Sequence, residues 1–174
     1  KREGQKTVLY DAILQAYKLA KSLTKERKAV ILFTNKFIQK LQNISDFLKE
    51  KKIKLALETN LDVRSIKKLI KLTNRKNIFI VYDTGNRLKK KNSQYNEIIK
   101  LKKHICHFHL KDKNWRGENV VLGNGKVNFD LIFKAIKHNK YSGKYTFETN
   151  RGDNPVKTMC DNKNFILNKI KPLT

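Results

Sequence analysis

Ile105-Cys-His-Phe-His-Leu-Lys-Asp112 is a short apolar run that alternates with histidine and ends in a charged loop. In a β-strand, successive side chains point to opposite faces. The alternation therefore predicts Ile105, His107 and His109 on one face and Cys106, Phe108 and Leu110 on the other. A single histidine at a strand end is ordinarily satisfied by nearby loops and needs no functional role. Three other strand-like runs in this chain also end in an acidic residue, and that shared ending gives His109 its interest.

The chain around this stretch alternates between two patterns. Thr7 can cap a helix over Val8–Leu23, followed by a strand at Ala29–Phe33. Thr34-Asn35 leads into an amphipathic helix near Lys36–Lys49, then a strand at Ile53–Glu58. Asp62 can cap Val63–Leu72 before strand Ile78–Asp83, and Ser93 can cap Gln94–Lys102 before strand His104–His109. After a longer excursion, Asn128 can cap Phe129–His138 before strand Tyr145–Glu148. Asn154-Pro155 then starts a last helix near Val156–Ile170, with a cap residue and proline at the first helical position. Strict β–α alternation predicts an α/β fold with a parallel sheet and helical crossovers. No linker or composition shift divides the chain, so residues 1–174 read as a single domain.

Four successive strands end in Glu58, Asp83, His109 and Glu148. Two residues before each lie Ala56, Val81, His107 and Thr146, which are small, β-branched or polar. Between them lie Leu57, Tyr82, Phe108 and Phe147, all large and apolar. That phase fits strands of a barrel, crowded inside and packed on helices outside. It points all four polar ends inward at the C-terminal rim, where parallel α/β folds place their chemistry. Converging carboxylates repel one another unless a cation intervenes. Two Glu, one Asp and one neutral His form a mixed oxygen–nitrogen set suited to Mn²⁺ first, with Mg²⁺ or Co²⁺ as alternatives. The bland alternative is four separate strand-end residues bonded to their own loops.

Composition narrows the remaining classes. Across 174 residues, 40 Lys+Arg against 15 Asp+Glu give a net charge of +25. Such a charge invites a polyanion-binding or nucleic-acid-binding reading. The lysines, however, recur along nearly every helix face, and arginine, the better bidentate reader of phosphate, is scarce. Nucleic acid is therefore not the expected partner. The two cysteines, Cys106 and Cys160, form neither a disulfide framework nor a CxxC metal pair. No apolar run reaches the ~18 residues of a membrane span, and no signal peptide is recognised at the start. A cytoplasmic protein is the expectation.

Five segments, taken in order, resemble the sugar phosphate isomerase/epimerase family, the xylose isomerase-like TIM barrels. They are Leu55-Ala-Leu-Glu-Thr-Asn60, Val81-Tyr-Asp-Thr-Gly-Asn86, His107-Phe-His-Leu-Lys-Asp112, Leu122-Gly-Asn-Gly-Lys-Val-Asn-Phe129 and Tyr141-Ser-Gly-Lys-Tyr-Thr-Phe-Glu-Thr149. The resemblance covers roughly Ala29 to the C-terminus. It implies a (β/α)8 barrel, with Glu58, Asp83, His109 and Glu148 matching the family's metal ligands. It also implies that Glu58 and Glu148 double as the acid/base pair of proton transfer through an enediolate, on a small sugar or sugar phosphate. Ketose 3-epimerases of this kind carry Glu, His and Arg where this chain has Arg64, Asn86 and Trp115, with Arg116 adjacent. The extra histidines of the related endonucleases are also missing. A dehydratase or hydrolase on the same barrel is the alternative within enzymes.

Substrate contacts are expected from rim residues His107, Asn86, Lys111, Arg116, Arg151 and Trp115, with Lys113 a further rim cation. A (β/α)8 barrel takes about 250 residues, and the visible strands correspond to about the fourth to the eighth. The barrel is thus expected to be incomplete here, with earlier strands upstream of Lys1 and part of the substrate pocket elsewhere. A homo-oligomer is compatible with this reading.

Overall fold

The computed structural model describes residues 35–88 and 93–170. The expected helix at Val8–Leu23 and strand at Ala29–Phe33 lie outside them. The described chain runs α1 (Asn35–Glu50), β1 (Leu55–Glu58), α2 (Val63–Thr73), β2 (Ile78–Asp83), α3 (Gln94–Leu101) and β3 (Ile105–Leu110). A two-stranded ribbon follows, β4 (Asp112–Lys113) with β5 (Asn119–Val120), then α4 (Phe129–His138), β6 (Tyr145–Phe147) and α5 (Pro155–Ile170). The ribbon has no counterpart in the sequence reading, because two-residue strands carry no periodicity. Strands β1-β2-β3-β6 form one sheet in that order, and every neighbouring pair is parallel. Among the described residues no helix is long and apolar enough to cross a membrane.

Short polar residues set the helix starts. Asp62 accepts a hydrogen bond from the Ser65 amide, Asn128 from Leu131 and Asn154 from Lys157, each satisfying an N–H that has no partner within its helix. Ser93 also precedes a helix, yet its side chain makes no capping bond. The last residue position of α2 is followed by Asn74 in the left-handed conformation, whose N–H returns to the Ile70 carbonyl.

The main core lies between the sheet's outer face and α3 and α4, where Tyr82, Phe108 and Leu110 meet Ile98, Leu101, Ile132 and Phe133. Each such side chain contributes about 1.5–3 kcal/mol when fully buried. A smaller cluster of Leu41, Leu55, Leu69 and Ile78 seats α1 and α2. On the opposite, concave face, Ala56 and Thr146 are exposed and His107 is half-buried. Leu57, Tyr82, Phe108 and Phe147 thus divide from Ala56, His107 and Thr146 as predicted; Val81 is buried, but it pairs with His107 and lies outside the helix-facing core.

One residue departs from that phase. Ile80 pairs with Ile105, but the next pair is Val81 with His107, so β3 carries one extra residue, Cys106, at this point. The irregularity turns Ile105 to the helix-facing core beside Ile80, away from His107 and His109. It also brings Asp83 level with His109.

Two buried charged residues tie the rim loops together. Arg87 is fully buried. Its Nε and Nη2 each lie 3.0 Å from Glu97 Oε2, and its Nη1 donates to the carbonyls of Thr59 and Leu61 at 2.9 Å. It thereby joins the loop after Glu58 to the loop after Asp83. Asp112 is likewise fully buried, and its carboxylate accepts the amide N–H groups of Lys113, Gly123, Gly125 and Val127. A Cβ at Gly125 would collide with that carboxylate, so the Gly123-Asn-Gly125 turn is a close wrap around Asp112.

Replacing Arg87 with Met removes the buried cation that pairs with Glu97, and urea denaturation is expected to show a loss of about 3–5 kcal/mol. Asp112→Ala leaves several loop amides without their acceptor, and the same measurement is expected to show a loss of about 2–4 kcal/mol.

Candidate metal centre

The register explains how four side chains from four strand ends reach one point. Glu58 is level with Val81, two positions short of Asp83, while Asp83 is level with His109. His109 is level with Thr146, two positions short of Glu148. The rim is thus staggered, as strands of a barrel must be. Asp83 and His109 occupy the middle level, and the longer glutamate side chains span the steps on either side. One ligand atom from each of Glu58, Asp83, His109 and Glu148 lies within 4.8 Å of the other three.

His109 Nδ1 faces this cluster, 3.3 Å from Glu58 Oε2 and 3.5 Å from Glu148 Oε2. That nitrogen is buried and has no hydrogen-bond partner among the described residues. A buried imidazole nitrogen without a partner, aimed among carboxylate oxygens, fits a ligand for a hard or borderline divalent cation. Asp83 is held from its own loop: the Asn86 amide donates to Oδ1 at 2.7 Å and Asn86 Nδ2 to Oδ2 at 2.9 Å. Asn86 Nδ2 also lies 3.3 Å from Glu58 Oε1, so this residue orients two of the carboxylates.

Lys111 enters the same cluster. Its Nζ lies 2.9 Å from Asp83 Oδ2 and 2.6 Å from Glu148 Oε2. Burial works to lower its pKa, but the bonds to Glu148 and Asp83 outweigh it and hold the ammonium above its ordinary value. Glu148 responds in the opposite sense. Burial acts to raise it, and the bonds with Lys111 and Asp83 bring its carboxyl below the usual range.

The remaining rim residues separate into groups. His107 lies on the face of His109, with ring centroids 5.5 Å apart, and its Nε2 is hydrogen-bonded to Thr146 Oγ1 at 2.8 Å. Burial, the neighbouring His109 and Lys144 lower its pKa. Arg151 lines a cleft of about 720 Å³ that also includes Lys111, Glu148 and Asn150. Trp115 and Arg116 sit at the tip of the β4–β5 ribbon, stacked on each other at 4.6 Å, with Trp115 72% exposed. They do not line that cleft. Lys113 belongs to the ribbon and is half-buried. Arg64 lies exposed on α2.

Sequence reasoning missed Arg87, Thr84 and the role of Asp112. Only Asp112 carried a signal, an acidic residue ahead of a Gly-x-Gly loop.

The model of the xylose isomerase-like TIM barrel family matches residues 22–168. No curated protein matches the chain by sequence. Among solved structures, a xylose isomerase domain protein from Planctomyces limnophilus superposes with a TM-score of 0.72 at 18% identity, over 84% of this chain and 57% of that one. The 3-keto-D-glucoside 4-epimerase from E. coli gives 0.70 at 15% identity, over 84% and 57%. An L-ribulose 3-epimerase gives 0.68 at 20% identity, over 87% and 58%. The chain therefore spans somewhat more than half the length of these structures, and at such identities the likeness is one of fold. With the family match over most of its length and this parallel sheet, the chain belongs to the xylose isomerase-like TIM-barrel family.

Proposed function

We propose that this chain carries the metal-binding side of the active site of an isomerase or epimerase, one that moves a proton beside the carbonyl of a small sugar or sugar phosphate. The observation that carries this reading is the convergence of Glu58, Asp83, His109 and Glu148 within 4.8 Å at the rim of the sheet. The epimerases among its structural neighbours support it at the level of reaction class. The four residues would hold a divalent ion, and their mixed oxygen and nitrogen atoms suit Mn²⁺ best, ahead of Mg²⁺ and Co²⁺. Such an ion, when bound, supplies Lewis acidity that polarises a carbonyl and spreads enediolate charge.

Exposure divides the labour among the carboxylates. The side chains of Glu58 and Glu148 are 42% and 46% exposed, whereas that of Asp83 is 2% exposed. The two glutamates are open to substrate, and Asp83 is a fixed anchor. One glutamate takes the proton from carbon and the other returns one to the opposite face, which inverts that centre. The bonds from Lys111 and Asp83 that lower the Glu148 pKa favour its carboxylate form, the form a general base must have. Arg151, exposed on the wall of the cleft beside Glu148, is placed to meet a phosphate or a sugar hydroxyl. His107 presents its ring on the same concave face and would contact the substrate there.

Mn²⁺ titrated into the protein that carries this chain is expected to bind one ion per chain by electron paramagnetic resonance. Asp83→Asn should weaken that binding on the order of a hundred-fold; unchanged affinity would reject the metal site. Glu148→Gln is expected to abolish solvent-deuterium incorporation into a panel of small ketoses with an unchanged circular dichroism spectrum. Wash-in that persisted would rule out the two-glutamate scheme.

A further inference from the structure

Lys111 is unlike the other lysines of this highly basic chain. Among the described residues most of those are exposed, whereas the side chain of Lys111 is 8% exposed and directed into the carboxylates. We propose that Lys111 is a built-in counter-ion of the site, a positioning residue that holds Asp83 and Glu148 together and sets how tightly a divalent cation is bound. This inference rests on the metal reading above.

The position is built rather than incidental. Thr84, fully buried, donates from Oγ1 to the Lys111 carbonyl at 2.6 Å and accepts from the Lys111 amide at 2.8 Å, fixing the main chain from both sides. The lysine stem then runs against Gly85, where a Cβ would come within 2.7 Å of Lys111 Cγ and 3.1 Å of its Cβ and Cδ. Thr84 and Gly85 directly follow Asp83, so the loop that presents one ligand also shapes the channel for the lysine. The ammonium bridges Asp83 on β2 and Glu148 just beyond β6, strands separated in the sheet by β3.

The consequence is electrostatic. A fixed positive charge on two ligand carboxylates offsets their mutual repulsion when no second cation is present. The same charge repels a divalent ion that shares those oxygens, in a partly buried setting where charges are weakly screened. Lys111 therefore stabilises the assembled ligands and at the same time keeps the ion exchangeable. It thus differs from Arg151, the cation exposed to the cleft.

The test is Lys111→Met in the full chain, with Mn²⁺ affinity measured by calorimetric titration and melting temperature measured with and without added Mn²⁺. The expected result is a lower melting temperature without added metal, a Kd for Mn²⁺ at least about ten-fold smaller than that of the unmodified protein, and a larger rise in melting temperature on adding Mn²⁺. A residue of purely structural importance would lower the melting temperature and leave the Kd unchanged or larger, and that result overturns the proposal. Lys111→Gln, which keeps a donor without the charge, is the second variant should Lys111→Met not fold, and the same tightening is expected. If Asp83→Asn weakens Mn²⁺ binding while neither lysine variant tightens it, the counter-ion role falls and the metal site stands. If Asp83→Asn has no effect, both fall.

Discussion

Bringing Glu58, Asp83 and Glu148 together is the constraint around which the rim is organised. Their oxygens meet within a few ångströms, joined by an imidazole nitrogen that has no hydrogen-bond partner among the described residues. Like charges so close in a partly buried place are tolerated only with positive charge among them. Lys111 supplies one such charge, from a channel shaped by Thr84 and Gly85. The divalent ion proposed for this donor set would supply a second.

The sheet delivers these groups through register. Parallel strands in a curved sheet are sheared, so their ends do not finish at one height. The short Asp83 and the His109 ring stand at the middle level, and glutamates occupy the two flanking strands. Choice of side-chain length thus compensates for the stagger of the backbone. The extra residue at Cys106 completes the alignment, for without that irregularity Asp83 would lie level with Phe108.

Charge elsewhere in the protein serves other ends. Arg87 and Glu97 form an ion pair beneath the rim, with Tyr82 Oη donating to the same carboxylate at 3.2 Å and burial pushing that phenol far above its usual pKa. Asp112 gathers the loop amides from Lys113 to Val127. Both fix the loops that follow the strands ending in this cluster, which limits the freedom of Glu58, Asp83 and His109. The described lysines along the helices are, for the most part, exposed to solvent.

The alternation of strands and helices, the caps at Asp62 and Asn128, and the inward phase of Glu58, Asp83, His109 and Glu148 were legible in the residues themselves. They follow from local periodicity and from hydrogen bonds between near neighbours, which a linear chain records directly. The irregularity at Cys106, the reversal of Ile105, the inward turn of Lys111 and the reach of Arg87 to Thr59 and Leu61 were not. Each depends on which segment lies opposite and at what height, and strand register is a property of pairs. A lysine or arginine looks alike in sequence whether it is solvated or enclosed; only packing, by removing water, decides which charges must find partners.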